Sequence, residues 1–434
     1  MNCLRSDHRN LLLTTWEGGG TVGPVVAAAT KLLVRGHRVR VMSDACNRPE
    51  IEASGATFIP WMRAPSRPDR SRHSDLMRDW EAASPPEQLK RAIDAIWCGP
   101  ALAYARDVKT ALQAEPADLV ISSEMLFGVA AACEALRQRL VFLTAGISLY
   151  PVPGMPPLGS ALPAPKTAAD HQAIADFRAM ATALFDHGLP ALNTARVTLG
   201  LPALAHLFDQ GKAAERLLLG TSPAFDFAAP ELPDDVAYVG PQLAPVSWAA
   251  PWTSPWPSDD PRPLVLLAFG TTFQDHVPLL QRIIDATGDL DIRLLVTLGG
   301  VIEPGELRAA PHVVLAPSAP HDEVMREARV VITHGGHGTV LRALCHLKPL
   351  LVLPLGRDQN DNAIRVTSRG AGLAVTPQST VDDIRTALRQ LLHDPAFAKA
   401  AAKLGAVIRR DASSDALVQE IEATLARPAV SPAR

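Results

Sequence analysis

The sequence predicts an α/β protein built from two doubly wound parallel domains. Short apolar runs rich in Val, Ile and Leu alternate with Ala/Leu/Arg-rich helical stretches along most of the chain, as in parallel sheets covered on both faces. That alternation starts twice, at "NLLLTTWEGGG" (10–20) and at "PLVLLAFGTTF" (263–273), each an apolar strand running into Gly and Thr. A later pair, "ADLVISSEM" (117–125) and "ARVVITHGG" (328–336), matches in outline. At 434 residues the chain also exceeds what a single core normally holds, about 250–300 residues.

The pattern divides the chain into an N-terminal domain over 1–240, a connection over 241–262 and a C-terminal domain over 263–434, whose last helix is placed to pack back on the first. The connection "VGPQLAPVSWAAPWTSPWPSDDPRP" (239–263) is dense in Pro, which removes backbone donors and breaks regular elements. Its Trp248, Trp252 and Trp256 are expected to pack against a domain. A second Pro/Gly stretch, "YPVPGMPPLGSALPAPK" (150–166), follows the strand "RLVFLTAG". Loops at the carboxyl ends of such strands face the ligand crevice, so it is a candidate ligand-binding loop of the first domain. The Arg-rich piece "RAPSRPDRSRHSDLMR" (63–78) is expected to be a solvated, mobile loop, with a lid over the crevice as the alternative.

Composition excludes several classes. A formal net charge of −3 supplies no attraction for nucleic acid. No apolar run approaches the ~18 residues of a membrane span, and Trp16 and Glu17 cut "LLLTT" too short for a signal-peptide core. Five scattered cysteines without a CxxC pair argue against zinc and a disulfide framework, and for the cytoplasm.

Gly18-x-Gly20-x-x-Gly23, after a strand and before a helical pattern, has the form of a dinucleotide-binding fingerprint. Asp44 stands where a ribose-binding acid would sit. One reading is therefore an NAD(P)-dependent oxidoreductase. The stretch "VVITHGGHGTVLRALCHLKPLLVLPLGRDQNDNAIR" (330–365) is more specific. A strand ends at His334, and Gly335-Gly336 lead into a helix near Gly338-Thr339, where free N–H groups and the positive dipole end suit a diphosphate. A second strand ends at Gly356-Arg357-Asp358-Gln359, where a carboxylate beside an amide can grip neighbouring sugar hydroxyls.

His334-Gly-Gly-x-Gly-Thr339, Pro349, Pro354 and Asp358-Gln359 resemble the donor signature of GT-B glycosyltransferases of the UDP-glycosyltransferase type, nearest to bacterial natural-product members. "TWEGGG", "RGHRVRV", "YVGP", "FGTT" and "LGRDQND" fit at their expected places. The resemblance implies two Rossmann-like domains facing a cleft. It also implies a UDP- or dTDP-sugar held mainly by the second domain, a small hydrophobic acceptor held mainly by the first, and inversion at the anomeric carbon without a metal or other cofactor. Donor contacts fall on His334, Gly335, Gly336, Gly338, Thr339, Thr271, Thr272, His321, Asp358 and Gln359. His337 occupies a variable position, expected behind the donor or on the acceptor side. The triplet Asp289-Leu-Asp291 precedes a strand in a turn and is expected to be solvated.

The chain departs from the family at the base. Where relatives place a catalytic His after the first Gly, this sequence has Thr21, which is no base near neutral pH. His37 lies at the other end of the helix-to-strand connection and is expected to be structural. Glu124, which matches the acid that orients the missing His, and Glu17 of the Gly loop are the candidates, with Glu124 favoured. Arg342 stands where a ribose-binding Glu is frequent, and Ser318 and Pro320-His321 replace the usual aromatic and Pro-Gln. A non-catalytic partner of another transferase is the further alternative.

Overall fold

The computed structural model describes residues 8–244 and 252–428. Strands β1 (Asn10–Thr14), β2 (Arg38–Ser43), β3 (Thr57–Pro60), β4 (Leu119–Ser122), β5 (Leu140–Leu143), β6 (Arg216–Leu219) and β7 (Val236–Tyr238) form one sheet in the order β3-β2-β1-β4-β5-β6-β7. Strands β8 (Leu264–Ala268), β9 (Arg293–Thr297), β10 (Val313–Ala316), β11 (Ala328–Thr333), β12 (Leu350–Val352) and β13 (Gly372–Ala374) form the second, in the order β10-β9-β8-β11-β12-β13. Every pairing is parallel. Strand order reverses between β1 and β4 and again between β8 and β11, the switch points where doubly wound sheets open a crevice. The two sequence pairs that match in outline occupy these equivalent places.

The central strands are apolar throughout because helices cover both faces. Leu11, Leu12 and Leu13 are fully buried, as are Leu264 to Ala268 to within 1 %. Helix Val22–Val34 follows β1, with Pro24 in its first turn, where its missing N–H is not needed. The last helix, Ala416–Ala426, crosses back and adds Leu417, Val418 and Ile421 to the core around β1 and helix Val22–Val34. Arg35, Arg139 and Arg216 fasten it through Glu422, the Thr424 carbonyl and Glu420. No helix among the described residues is long and apolar enough to cross a membrane.

The carboxyl edges of the two sheets are bolted together. Arg365, on helix Gln359–Ser368, donates from Nε to Asp226 of the first domain at 2.9 Å, and both side chains are buried. Asp361 of the same helix accepts the N–H groups of Gly159 and Ala161, at 2.7 and 2.9 Å. Arg369 reaches the Ala224 carbonyl at 2.7 Å. The Pro/Gly loop over 150–166 is thus hydrogen-bonded to the second domain.

One expectation about the connections is overturned. The Arg-rich segment over 63–78 is not a solvated loop. Arg67 is 2 % exposed and donates to Ser71 and Ser74, while its N–H bonds Asp44. Arg72 crosses to the second domain, donating to the Val301 carbonyl and Glu306 and lying 3.9 Å over the Phe273 ring. Trp80 meets the same ring edge-on. Three of the charges that suggested solvation have acidic partners distant in sequence, Arg63 with Asp107, Arg70 with Glu17 and Arg72 with Glu306. In the connection, the Trp252 indole donates to Glu327, and Arg293 stacks on Trp256, so both pack on the second domain; Trp248 lies outside the described residues.

Breaking a buried ion pair leaves an uncompensated charge, at about 3–5 kcal/mol. Arg365→Ala should therefore lower the unfolding free energy by about that much in a denaturant titration, whereas Arg48→Ala, an exposed i,i+4 pair with Glu52, should cost under about 1 kcal/mol.

Candidate active site

A cleft of ≈ 1150 Å³ lies between the two carboxyl edges. On the second-domain wall β11 ends at His334. Gly335 follows with φ +98, and a Cβ there would stand 2.8 Å from Val352 Cγ1 and 3.1 Å from the Gln359 carbonyl, so only glycine makes this turn. Helix His337–Cys345 then begins, and the first-turn residues Gly338 and Thr339 line the cleft. Their N–H groups belong to the first turn, which has no intrahelical acceptor for them. Thr271 and Thr272, after β8, line the cleft beside them.

The His334 ring lies against the backbone of Gly270 and Gly336 and packs on Phe269, with ring centroids 5.5 Å apart. Burial, reinforced by His276 and Arg357, pushes its pKa down to about 3. His321 is lowered to about 4, chiefly by burial and then by Arg342, and its Nε2 lies 3.3 Å from Thr297 Oγ1. Both are therefore neutral at physiological pH. The Nδ1 of His337 pairs with Asn362 Oδ1 at 2.9 Å, and Phe225 meets its ring edge-on.

Asp358 and Gln359 come to the cleft but differ in what they offer. Asp358 lends Oδ2 to Asn362 at 3.0 Å. Gln359 accepts the N–H groups of Leu355 and Gly356 at Oε1 and donates to Gln274 from Nε2. Its amide holds the loop after β12 in shape, which leaves Asp358 the less committed of the two side chains. Arg342 binds Asp322 and the Ala244 carbonyl, and it lines the cleft. Asp289 is exposed beside Arg385, and neither it nor Asp291 lines the cleft.

On the first-domain wall Glu124 follows β4 and is 2 % exposed. Burial raises its pKa to about 7, opposed by the N–H groups of Glu124 itself and Leu149. Around it the wall is apolar, with Trp16, Trp97, Ile147, Phe177 and Phe185 lining the cleft. Glu17 is not brought there. Its Oε1 accepts the Gly19 N–H at 2.8 Å and its Oε2 pairs with Arg70 at 3.1 Å, so the carboxylate closes its own loop and the base expectation for it is corrected. Thr21 lines the cleft, but its hydroxyl donates to the Trp16 carbonyl and accepts from Gly18. Asp44, the supposed ribose acid, accepts the N–H groups of Glu17 and Arg67. Both its oxygens serve the backbone. His37 is buried beside Glu422, at the amino edge of the sheet.

Sequence reasoning passed over Arg357 and Asp79. Arg357 adopts φ +55 and donates from Nε to Asp79 at 2.8 Å and from Nη1 to Thr272 at 3.0 Å. Arg357 adjoins the recognised Asp-Gln pair, but its partner is 278 residues away, just past the segment expected to be solvated.

Solved structures share this architecture. The glycotransferase of kitacinnamycin superposes with a TM-score of 0.75 at 18 % identity, covering 96 % of this chain and 98 % of that one. Glycosyltransferase VinC in complex with dTDP gives 0.63 at 20 % identity, covering 96 % and 98 %. The chain has the GT-B fold of these glycosyltransferases. More narrowly, residues 281–426 match the family described as erythromycin biosynthesis protein CIII-like, C-terminal domain. The chain is 29 % identical to 4'-demethylrebeccamycin synthase of Lentzea aerocolonigenes over 441 positions, 95 % of this chain and 98 % of that one. It is 31 % identical to elloramycin glycosyltransferase ElmGT of Streptomyces olivaceus, over 52 % of this chain and 64 % of that one.

An acid whose pKa rises on folding binds protons more tightly in the folded state, so stability falls as pH climbs. For Glu124 that window runs from its ordinary 4.5 to about 7. Glu124→Gln removes the penalty, and its melting temperature should gain on the wild type between pH 5 and pH 8 in calorimetry.

Proposed function

We propose that this chain transfers a sugar, with inversion, from a UDP- or dTDP-sugar to a small hydrophobic acceptor. The observation that carries the reading is the opposition of two walls. One is a wall suited to an anion, made by His334, Gly336, Gly338, Thr339 and Thr271, with Gly335 turning the chain behind it. The other is a buried carboxyl, Glu124, set in an apolar pocket. Structural neighbours with thymidine diphosphate bound support a nucleoside diphosphate donor.

In this reading the acceptor packs among Trp16, Trp97 and Phe177 with its X–H group at Glu124. Glu124 takes the proton as X attacks the anomeric carbon, and the bond from that carbon to the diphosphate oxygen breaks with its electron pair on the oxygen. A single displacement with one base inverts the centre. The helix N–H groups and the hydroxyls of Thr271 and Thr339 stabilise the charge gathering on the leaving diphosphate. His334 adds a neutral hydrogen bond, and Thr272 holds the loop through Arg357. His321 backs the nucleoside end. Asp358 grips sugar hydroxyls, which favours a sugar that keeps them at its 3- and 4-positions. Thr21 shapes the Gly loop against the acceptor.

A pKa of about 7 suits a general base near neutral pH, since ionisation and proton affinity are then balanced. Turnover should rise through pH 7 and level off above it, because the base works deprotonated. Glu124→Gln should lower kcat by roughly 10²–10⁴-fold and abolish that inflection, while calorimetry shows dTDP or UDP binding unchanged. Unaltered turnover would remove Glu124 from the role. Binding of NAD in place of both nucleoside diphosphates would overturn the reading.

A further inference from the structure

We propose that Arg357 is a catalytic residue that stabilises the departing diphosphate, and that Asp79, reaching across from the acceptor domain, positions it. The inference rests on the glycosyl-transfer reading above. Displacement without a metal needs positive charge where the diphosphate accumulates it. Three cations line the cleft among the described residues, Arg70, Arg342 and Arg357. Arg70 is spent on Glu17, Glu50 and Asn47 of the first domain. Arg342 is held by Asp322 and the Ala244 carbonyl. The neutral imidazole of His334 supplies a hydrogen bond but no charge.

Arg357 differs from the other two in its place and in its unused valence. It stands one residue before Asp358, and its Nη1 holds Thr272 of the β8 loop at 3.0 Å. Its charge is close enough to His334 to depress that ring's protonation. The guanidinium therefore lies between the sugar contact and the diphosphate loop. Nε is bound to Asp79, yet Nη2 is buried without a protein partner, as is the second oxygen of Asp79. Nε and Nη2 share one edge of the guanidinium fork, so an aspartate taking both was available, and the pair is made through only one. An unsatisfied buried donor costs about 1–3 kcal/mol, which a phosphate oxygen accepting from Nη2 would recover. Arg357 is also held at φ +55, a left-handed conformation that a side-chain-bearing residue adopts at a cost and that clusters at functional sites.

As the bond from the anomeric carbon to the diphosphate oxygen breaks, its electron pair adds a negative charge to the β-phosphate. The acceptor's proton passes to Glu124 and the acceptor's lone pair completes the new bond. Arg357 meets that added charge, so it binds the product diphosphate more tightly than the sugar ester. Asp79 is contributed from the acceptor-domain side, so the cation is aimed only when both domains face the cleft.

The test compares wild type with Arg357→Ala, Arg357→Lys and Asp79→Asn, each checked by thermal melting, for kcat, donor KM and calorimetric Kd of dTDP or UDP. The Ala variant should lose on the order of 10²-fold in kcat and bind the nucleoside diphosphate more weakly, with donor KM within about threefold of wild type, since binding energy realised only in the charged state appears in kcat. The Lys variant should recover part of the loss, and Asp79→Asn should fall between wild type and Ala. If the Ala variant does not fold, Arg357→Gln carries the same comparison. A kcat within threefold of wild type, or equal losses in donor KM and nucleotide affinity at unchanged kcat, would sink the proposal and leave glycosyl transfer standing. A wild type that neither binds these nucleotides nor transfers sugar would remove both.

Discussion

The cleft exists because a buried ion pair holds two carboxyl edges face to face. Arg365 and Asp226 are 1 % and 2 % exposed at their side chains and come from different domains. Taking both charges out of water is expensive, and a hydrophobic pair of similar volume would hold the domains at least as firmly. What the ion pair adds is register. Asp226 also accepts from Tyr238 at 3.0 Å and from the Phe227 N–H at 2.8 Å, so rotating one domain against the other would strand a charge rather than slide an apolar face. Asp361 repeats the device one turn earlier on the same helix, against the loop that borders the acceptor pocket. The separation of Glu124 from the donor wall is set by these contacts.

Within that frame the two walls have opposite electrostatics. His334, His321 and His276 are all pushed toward neutrality, by burial in each case and by nearby arginines. The donor wall therefore presents N–H dipoles and hydroxyls whose strength does not change as histidines titrate near pH 6.5. Glu124 is pushed the other way by the same burial. One physical cause, removal from water, favours the neutral form on both walls, lowering the histidines and raising the carboxyl.

Much of this was legible in the sequence, and the exceptions have a common origin. Strand-to-Gly transitions at 10–20 and 263–273 mark β1 and β8 because parallel strands, buried on both faces, leave unbroken apolar runs. The His334-to-Thr339 turn was legible because its glycines answer to local backbone geometry. Function that depends on distant pairing was not. Arg72 and Arg357 find their partners more than 220 residues away, and charge-rich 63–78 looks solvated until those partners are known. Gln359 was over-read for a related reason, since local pattern does not reveal that its amide serves Leu355, Gly356 and Gln274.

The Gly loop shows how one motif can persist while its chemistry moves. Gly19 has φ +79, and a Cβ there would stand 2.9 Å from Thr272 Cγ2 and 3.5 Å from Thr271 Oγ1. The loop is glycine-rich because it passes against the other domain's phosphate-facing turn, where a side chain would wedge the cleft open. That requirement is the same whether the helix start carries a histidine or a threonine. With Thr21 tied to the Trp16 carbonyl and Glu17 to Arg70, neither offers the loop a free base. In the reading proposed above, proton transfer falls instead to Glu124, in the turn just after β4, a strand flanked by β1 and β5. Burial in that turn raises the Glu124 carboxyl to about 7, and in the same reading no histidine is needed to relay the proton.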